Sequence, residues 1–245
     1  MPRRLYVIFF IFIFHFSSCE DKETSKEIIS NPQPENKEVI EKVDTLTEKT
    51  SEEAKKVKPE GPLIVQEELI PFLTQYGKEN PEDKIRIKTR FGNIDVQLYH
   101  DTPLHRANFI FLVKHDYFDE TFFHRVDEGF VIQGGNSDNA STNRKRHYIG
   151  DYLIPSEFEA GHLHTRGAFS AAKYADQNVS KASSPYEFFI VQSPGGSPHL
   201  NNEHTVFGRV IDGMDVVDEI NKVPIGEGEW PLQNIYMDIE ILKIP

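Results

Sequence analysis

Polar and apolar positions alternate over two stretches near residue 90, and this spacing predicts a β-hairpin. Residues 84–88 and 93–99 each place an apolar side chain at every second position, which is typical of half-buried strands. Gly92 supplies the turn between them. The later apolar runs are short and are separated by clusters of Gly, Pro, Asn and Asp, so most of them predict strands as well.

Two stretches in the C-terminal two thirds of the chain have the longer apolar spacing of a helix. The first follows Asp101 or Thr102, either of which can cap a helix, and Pro103 lies near its first turn. The second covers residues 213–220. Many short strands with two helices predict a mainly β fold, a closed antiparallel barrel formed by one domain over residues 83–245.

Residues 61–82 predict a helical extension ahead of that domain. Its apolar side chains fall on one helical stripe: Leu63, Ile64, Leu69, Phe72 and Leu73. Pro71 lies within the stripe and predicts a short or broken helix, which Gly77 then helps to end. We expect the extension to pack on the domain that follows it.

The first 18 residues predict a signal peptide. Arg3 and Arg4 precede an apolar run that is too short to span a bilayer comfortably. Small residues then precede Cys19, the single cysteine, and this arrangement resembles the lipobox of bacterial lipoproteins. The resemblance implies acylation of Cys19 and attachment to a membrane of the bacterial cell envelope, on the periplasmic or the cell-surface side of the outer membrane. An ordinary secretory signal with an incidental cysteine and an uncleaved anchor remain alternatives.

Residues 19–60 predict a disordered acidic tether. After Cys19 this segment carries 12 acidic and 8 basic residues and no Phe, Trp or Tyr. Such a segment cannot bury enough apolar surface to offset the entropy that is lost on ordering. The tether would let the domain stand clear of the membrane surface.

Residues 122–135 place one arginine and one glutamine among apolar side chains. If two strands flank a turn at Gly129, Arg125 projects on the same face as Phe123, and Gln133 on the same face as Val131. A planar, permanently charged donor beside an apolar surface can bind a peptide amide while its neighbours accommodate a side chain. A lone arginine would more simply form a surface ion pair.

This run, FFHRVDEGFVIQGG, resembles the signature of the cyclophilin family of peptidyl-prolyl cis/trans isomerases, which combines FHR, GF and QGG. The resemblance continues in SSPYEFFIVQ and HLNNEHTVFGRVIDGMDVVDEI and covers about residues 84–243. It implies an eight-stranded barrel closed at each end by a helix, with a peptide groove on the outside. It also implies isomerisation of X-Pro bonds in unfolded or extended proteins, by a monomer that needs no cofactor or metal.

By the same resemblance, Arg125 is expected to be the catalytic residue. The residues expected to bind substrate are Phe130, Val131, Gln133, Ala172, Glu187, Phe189, Leu200 and His204. Ala172 would present its backbone to the substrate. Taken singly, Phe130, Phe189 and Leu200 could equally belong to an ordinary core, and His204 could be a surface or core histidine.

Three positions depart from the family pattern. Glu187 replaces the usual glutamine, Lys173 an asparagine and His199 a tryptophan. Glu187 is expected within reach of Arg125, where a carboxylate could either orient the guanidinium or neutralise it. Two alternatives to an active isomerase therefore stay open: a membrane-tethered chaperone or peptide-binding module with weak turnover, and a structural lipoprotein with a vestigial groove.

Charge and ligand spacing argue against other function classes. The chain has a net charge of −12 at pH 7, so a general nucleic-acid role is not expected, although residues 143–147 form a basic run that is predicted to be a loop. His162 and His164 lack further ligands at a spacing typical of a metal site. No glycine motif of the phosphate-binding kind is present.

Overall fold

The computed structural model describes residues 61–174 and 180–243. The predicted signal peptide, Cys19 and the predicted tether lie outside the described residues. The proposed divisions at residues 18 and 60 therefore remain predictions, and the division at residue 82, within the described range, is a prediction as well.

The described residues form ten β-strands and four α-helices. The strands are β1 Lys84–Thr89, β2 Gly92–Leu98, β3 Phe122–Phe123, β4 Arg125–Asp127, β5 Val131–Gly134, β6 Ala168–Ala171, β7 Phe188–Val191, β8 Val206–Asp212, β9 Ile235–Tyr236 and β10 Asp238–Ile241. The helices are α1 Leu69–Glu79, α2 Pro103–Lys114, α3 Ala140–Ile149 and α4 Met214–Ile220. None of the helices in these two ranges is both long enough and apolar enough to cross a membrane.

Strands β1 and β2 form the hairpin that the alternating pattern predicts. Their register pairs Ile85 with Val96 and Ile87 with Ile94, and all four side chains are buried. The turn needs Gly92, whose φ of 137° lies in a region that side chains rarely adopt. The prediction of strands at residues 84–88 and 93–99 is therefore confirmed, and each strand end agrees to within one residue.

Eight strands form one antiparallel sheet in the order β10-β1-β2-β8-β6-β7-β5-β4. The sheet is curled but open, so the prediction of a closed barrel is wrong. The two edges are not joined by a continuous ladder, because β3 and β9, which lead into the edge strands β4 and β10, pair separately over two residues each. His124 and Met237 separate these two short strands from the edge strands.

The described residues contain four α-helices, whereas the sequence predicts two in the domain and a helical extension ahead of it. Helix α1 lies in the extension, and Pro71 falls in its first turn, where a missing N–H breaks no helical bond. Helix α3 includes the basic run at 143–147, so the prediction of a loop there is wrong. The run has no helical apolar face, since only Thr142 and Ile149 of α3 are buried, and periodicity therefore could not reveal it.

Helix α2 is capped by a residue that is distant in sequence. Neither Asp101 nor Thr102 caps it with its side chain, and both carboxylate oxygens of Glu157 instead accept hydrogen bonds, each of 3.0 Å, from the backbone N–H groups of Leu104 and His105. The expected helix is present, but its cap is not local.

Apolar side chains collect on both faces of the sheet. The main core includes Phe109, Phe169, Phe188 and Phe207, whose rings pack at angles between 37° and 83°. A smaller cluster lies apart from it: Val131, Ala168, Ala172, Phe189, Val191 and Val206, with Tyr99, Phe130 and Leu200 packed against it. Because successive strand residues face opposite sides, β7 places Phe188 in the core and Phe189 in the smaller cluster. That smaller cluster contains most of the predicted substrate-binding residues.

Candidate active site

Three neighbouring strands place the predicted catalytic and binding side chains in one row. Arg125 on β4 is paired with Gln133 on β5, and Gln133 is paired with Phe189 on β7. Residues that are directly opposite in an antiparallel sheet project on the same face, so one face carries a cation, an amide and an aromatic ring. The row depends on strand register and needs no long loop.

This row borders a small cavity of about 100 Å³. The cavity is lined by Arg125, Phe130, Val131, Gln133, Ala172, Lys173, Phe189, Leu200 and His204. Every residue of the predicted site except Glu187 is in this lining. The volume is well below the 300–1,000 Å³ typical of drug-sized ligand pockets, so the cavity suits one compact apolar side chain.

Two histidines surround the ring of Phe189. His204 meets it edge to face, with the centroids 5.2 Å apart, and His164 stacks on it at 5.8 Å and 14°. Burial lowers the pKa of His204 to about 4, and its Nδ1 must donate to the Ala171 carbonyl oxygen at 3.1 Å because a carbonyl only accepts. His204 is therefore a neutral wall of the cavity near pH 7.

His164, which has no metal-site spacing in the sequence, lies against the cavity wall. It is buried, its Nδ1 lies 3.0 Å from Asn201 Oδ1, and burial lowers its pKa. No group of three metal-ligating side chains occurs in residues 61–174 and 180–243. Its observed contacts support the aromatic wall of the cavity through Phe189.

The outer rim of the cavity is formed by Phe130 and His199. The two rings stack with their centroids 5.4 Å apart at 26°, and the Arg125 guanidinium carbon lies 5.9 Å from the Phe130 ring centroid. Lys173 is nearly buried, and its Nζ lies 3.3 Å from Glu203 Oε2. The charge that Lys173 brings to the cavity is therefore paired at the rim.

Arg125 is held by carboxylates other than the one predicted. Its Nη2 donates to Asp127 Oδ2 at 2.9 Å, and its Nε lies 2.5 Å from Glu229 Oε2. Glu187 makes no ion pair with Arg125 in the described structure, so the expectation that Glu187 is the charge partner of Arg125 is wrong. Asp127 could have been suspected from its position two residues along the strand, but Glu229 is more than 100 positions away and carries no local signal.

Glu187 lies behind Gln133 with its side chain mostly buried, and it forms a separate polar network. Its carboxylate accepts hydrogen bonds of 3.0 Å from Gln133 Nε2 and from Asn136 Nδ2. Arg146 Nη2 lies 3.4 Å and His124 Nε2 3.6 Å from its oxygens. Burial alone would raise the pKa of Glu187, but these partners outweigh it and lower the pKa.

This network sets the orientation of the Gln133 amide. A carboxylate accepts hydrogen bonds but donates none, so Gln133 must turn its NH₂ group toward Glu187. Its carbonyl oxygen is then the free end of the amide and is available as an acceptor at the cavity. Glu187 thus bears on the site through Gln133, without lining the cavity itself.

Comparisons with known proteins agree with this arrangement. A family model described as cyclophilin type peptidyl-prolyl cis-trans isomerase/CLD matches residues 84–241. A "Peptidyl-prolyl cis-trans isomerase-like 2" of Rhizopus delemar is 35% identical over 162 residues, which are 65% of this chain but 29% of that protein. A "Peptidyl-prolyl cis-trans isomerase" of Acinetobacter baylyi is 38% identical over 146 residues, which are 57% of this chain and 72% of the relative.

Solved structures resemble the chain over the same region. A cyclophilin type peptidyl-prolyl cis-trans isomerase of Cryptosporidium parvum has a TM-score of 0.56 and 26% identity, and the match covers 67% of this chain and 99% of that one. A structure of the same protein in the presence of the dipeptide Ala-Pro gives a TM-score of 0.55 and 26% identity over 66% of this chain and 99% of that one. Since the family model spans well over half of the sequence, the chain belongs to the cyclophilin-type peptidyl-prolyl cis-trans isomerases.

Proposed function

We propose that this chain catalyses rotation about X-Pro bonds by donating a hydrogen bond from Arg125 to the proline nitrogen. The observation that carries the proposal is the position of the Arg125 guanidinium beside a small apolar cavity, in register with Gln133 and Phe189. The cavity would hold the proline ring, and the donor would lie next to the bond that rotates.

The physics of the reaction requires little more than this arrangement. Rotation breaks amide resonance against a barrier of roughly 18–20 kcal/mol, and no covalent bond forms or breaks. In the twisted transition state the proline nitrogen becomes pyramidal and gains a lone pair, so a donor aimed at it binds this state better than either planar state. An apolar wall also excludes water, which otherwise stabilises the polar planar amide.

The proposed substrates are proline-containing segments of unfolded or extended proteins. Two features support this class: the cavity accepts only a small apolar group, and a similar cyclophilin has been solved in the presence of the dipeptide Ala-Pro. Gln133 would contribute a carbonyl acceptor for a backbone N–H of the bound segment. The remainder of the segment would lie along the outer face of the sheet.

We further propose that the enzyme acts on exported proteins while it is attached to a membrane through acylated Cys19. The support is the charged, apolar and small-residue order of residues 1–18 before Cys19, followed by an acidic segment without aromatic residues. Attachment through several acyl chains would hold the enzyme at the surface of the bacterial outer membrane.

A second candidate function is binding of proline-containing peptides or chaperone activity with weak turnover. The observation that favours it is the pairing of Arg125 with Asp127 and Glu229, because two carboxylates compete with a neutral amide for its donors. Such a module would bind proline peptides with the same affinity in the wild type and in a variant that lacks the Arg125 side chain.

A protease-coupled isomerisation assay distinguishes the two candidates. Arg125→Ala is expected to lower kcat/KM by about one to three orders of magnitude, since a preorganised donor contributes a few kcal/mol to the transition state. Thermal stability should be almost unchanged, because Arg125 is partly exposed. The exposed Arg144, replaced by alanine, is a control for the loss of one positive charge. Equal turnover in the wild type and Arg125→Ala would exclude the catalytic role.

A further inference from the structure

We propose that Glu229 is a positioning residue that holds the Arg125 guanidinium at the mouth of the cavity. The inference deepens the proposed function and rests on it, because a positioning role has meaning only if Arg125 acts on substrate. It concerns a residue outside the signature run and outside the cavity lining.

Two of the guanidinium nitrogens of Arg125 contact carboxylates, and the third has no such contact in the described structure. Glu229 Oε2 lies 2.5 Å from Nε, and Asp127 Oδ2 accepts from Nη2 at 2.9 Å. Nε and Nη2 lie along one edge of the planar guanidinium, so two carboxylates on this edge fix its plane. Nη1 remains free of a protein partner in the described structure and is the donor left for substrate.

The segment that carries Glu229 is anchored to β3 and to the residue that links β3 with β4, the strand that carries Arg125. Trp230 packs edge to face on Phe122, with centroids 5.4 Å apart, and lies 6.0 Å from His124, the residue before Arg125. Within the segment, Gly226 donates its N–H to the Trp230 carbonyl at 2.7 Å. Residues 224–232 are therefore a looped arm that is attached directly beside Arg125.

The backbone of this arm is held in an uncommon conformation at Glu229 itself. Glu229 has φ 62° and follows Gly228 with φ 67°, both in the left-handed region. A residue with a side chain rarely adopts this region unless its surroundings impose it, and such residues cluster at functional sites. The conformation directs the side chain of Glu229 to Arg125 while Trp230 fills the adjacent surface.

An exposed ion pair of this kind contributes little to stability. Both side chains keep about a third of their surface exposed, at 32% for Arg125 and 39% for Glu229. Its effect should instead appear in catalysis, because an unheld arginine samples several rotamers and spends less time aimed at the proline nitrogen. A positioning role therefore predicts a loss in kcat at nearly constant stability.

The test compares Glu229→Ala with Glu227→Ala in the same protease-coupled assay. Glu227 lies on the same arm with the same charge but makes no ion pair with Arg125 in the described structure, so it controls for net charge. Glu229→Ala is expected to lower kcat roughly tenfold with little change in KM, whereas Glu227→Ala should behave as the wild type. Glu229→Gln keeps the shape and an acceptor oxygen and should lose less activity than Glu229→Ala.

Ionic strength supplies a readout that a merely structural role would not change. Salt screens an exposed ion pair, so kcat of the wild type should fall as salt rises, and this dependence should be weaker in Glu229→Ala, where only the pair of Arg125 with Asp127 remains. Fluorescence of Trp230, the only tryptophan, should be unaltered in Glu229→Ala and thus show that the arm keeps its place.

A higher kcat in Glu229→Ala would overturn the inference, because it would mean that Glu229 competes with substrate for Arg125. Equal kcat in the wild type and Glu229→Ala would overturn it as well. The proposed function survives both outcomes as long as Arg125→Ala shows the expected loss in kcat/KM. It fails only if Arg125→Ala retains full turnover.

Discussion

At the scale of single residues, Glu187 shows how a mostly buried carboxylate can bear on a cavity that it does not line. It accepts hydrogen bonds from two amides, one on each carboxylate oxygen, and lies near two basic side chains. A glutamine at this position would offer one accepting oxygen to Gln133 and Asn136, so one of the two amides would lose its partner.

Glu187→Gln is therefore expected to lower the free energy of unfolding by about 1–3 kcal/mol at pH 7. The pKa of Glu187 is lowered in the folded state from its ordinary value of 4.5, so the unfolded chain binds the proton first as pH falls. The stabilisation is complete above pH 4.5 and is lost as pH falls through the lowered folded pKa.

Urea denaturation of the wild type and of Glu187→Gln between pH 3 and 7 measures the two unfolding free energies. The difference in unfolding free energy should be largest at neutral pH and should shrink below pH 4.5. Glu219→Gln removes an exposed carboxylate and is the matched control. A difference that stays constant across this range would contradict the charged network.

The residues of the cavity could be identified from sequence because they occur in short runs with a recognisable spacing. Eight of the nine predicted site residues line the cavity, but their roles in turnover remain predictions. Glu229 could not be identified, because it reaches Arg125 through a looped arm whose fold depends on Trp230 packing against β3. Glu187 was placed against the wrong partner because sequence does not show which side of Gln133 it occupies.

At the scale of elements, helix α1 is attached to helix α2 by one buried arginine. The Arg106 guanidinium donates to the carbonyl oxygens of Gly77 and Asn80, each at 2.9 Å, and to that of Glu82 at 3.1 Å. These carbonyls lie at and beyond the C-terminus of α1, where backbone acceptors lack helical partners. The contact is close, since a Cβ at Gly77 would lie 3.1 Å from the Ala107 side chain.

Arg106→Lys should lower the free energy of unfolding by about 2 kcal/mol, because one ammonium group cannot reach three separated carbonyls. The corresponding fall in melting temperature is about 4–8 °C for a domain of this size. Differential scanning calorimetry measures it, with the exposed Arg209→Lys as the control. An unchanged melting temperature would mean that α1 is held by its apolar face alone.

Strands with strict alternation and helices with an apolar face were predicted from sequence, and the mainly β, cyclophilin-like fold is confirmed. Two element-level predictions failed because the neighbouring residues in the sequence carry no signal for either feature. Helix α3 has few buried residues, and the cap of α2 comes from Glu157, about 50 positions away. The openness of the sheet depends on how far β3 and β9 pair, which no local pattern reports.

At the scale of the whole molecule, the enzyme class is confirmed, and the attachment to a membrane stays a prediction. The domain is acidic, with 17 basic and 27 acidic residues in residues 61–245, and this charge would favour separation from anionic lipid headgroups. A membrane association should therefore depend on the lipidated cysteine.

Cys19→Ser is expected to move the protein from the membrane fraction to the soluble fraction and to abolish acyl labelling. Fractionation of cells that express the full chain measures both. A double variant, Cys19→Ser with Ser25→Cys, keeps one cysteine but moves it out of the lipobox, and it should behave as the single variant. Acyl labelling that persists in Cys19→Ser would rule out the lipobox interpretation.

Strand β7 serves the core and the substrate cavity with adjacent residues, Phe188 and Phe189. Deleting one residue within this strand would turn the core side chains outward and the cavity wall inward, so the strand cannot change in length and still function. The site can then change only by substitution of side chains, while the number of residues in the strand stays the same. Glu187, Lys173 and His199 are departures of this kind: each alters the chemistry around the cavity by exchange of a side chain.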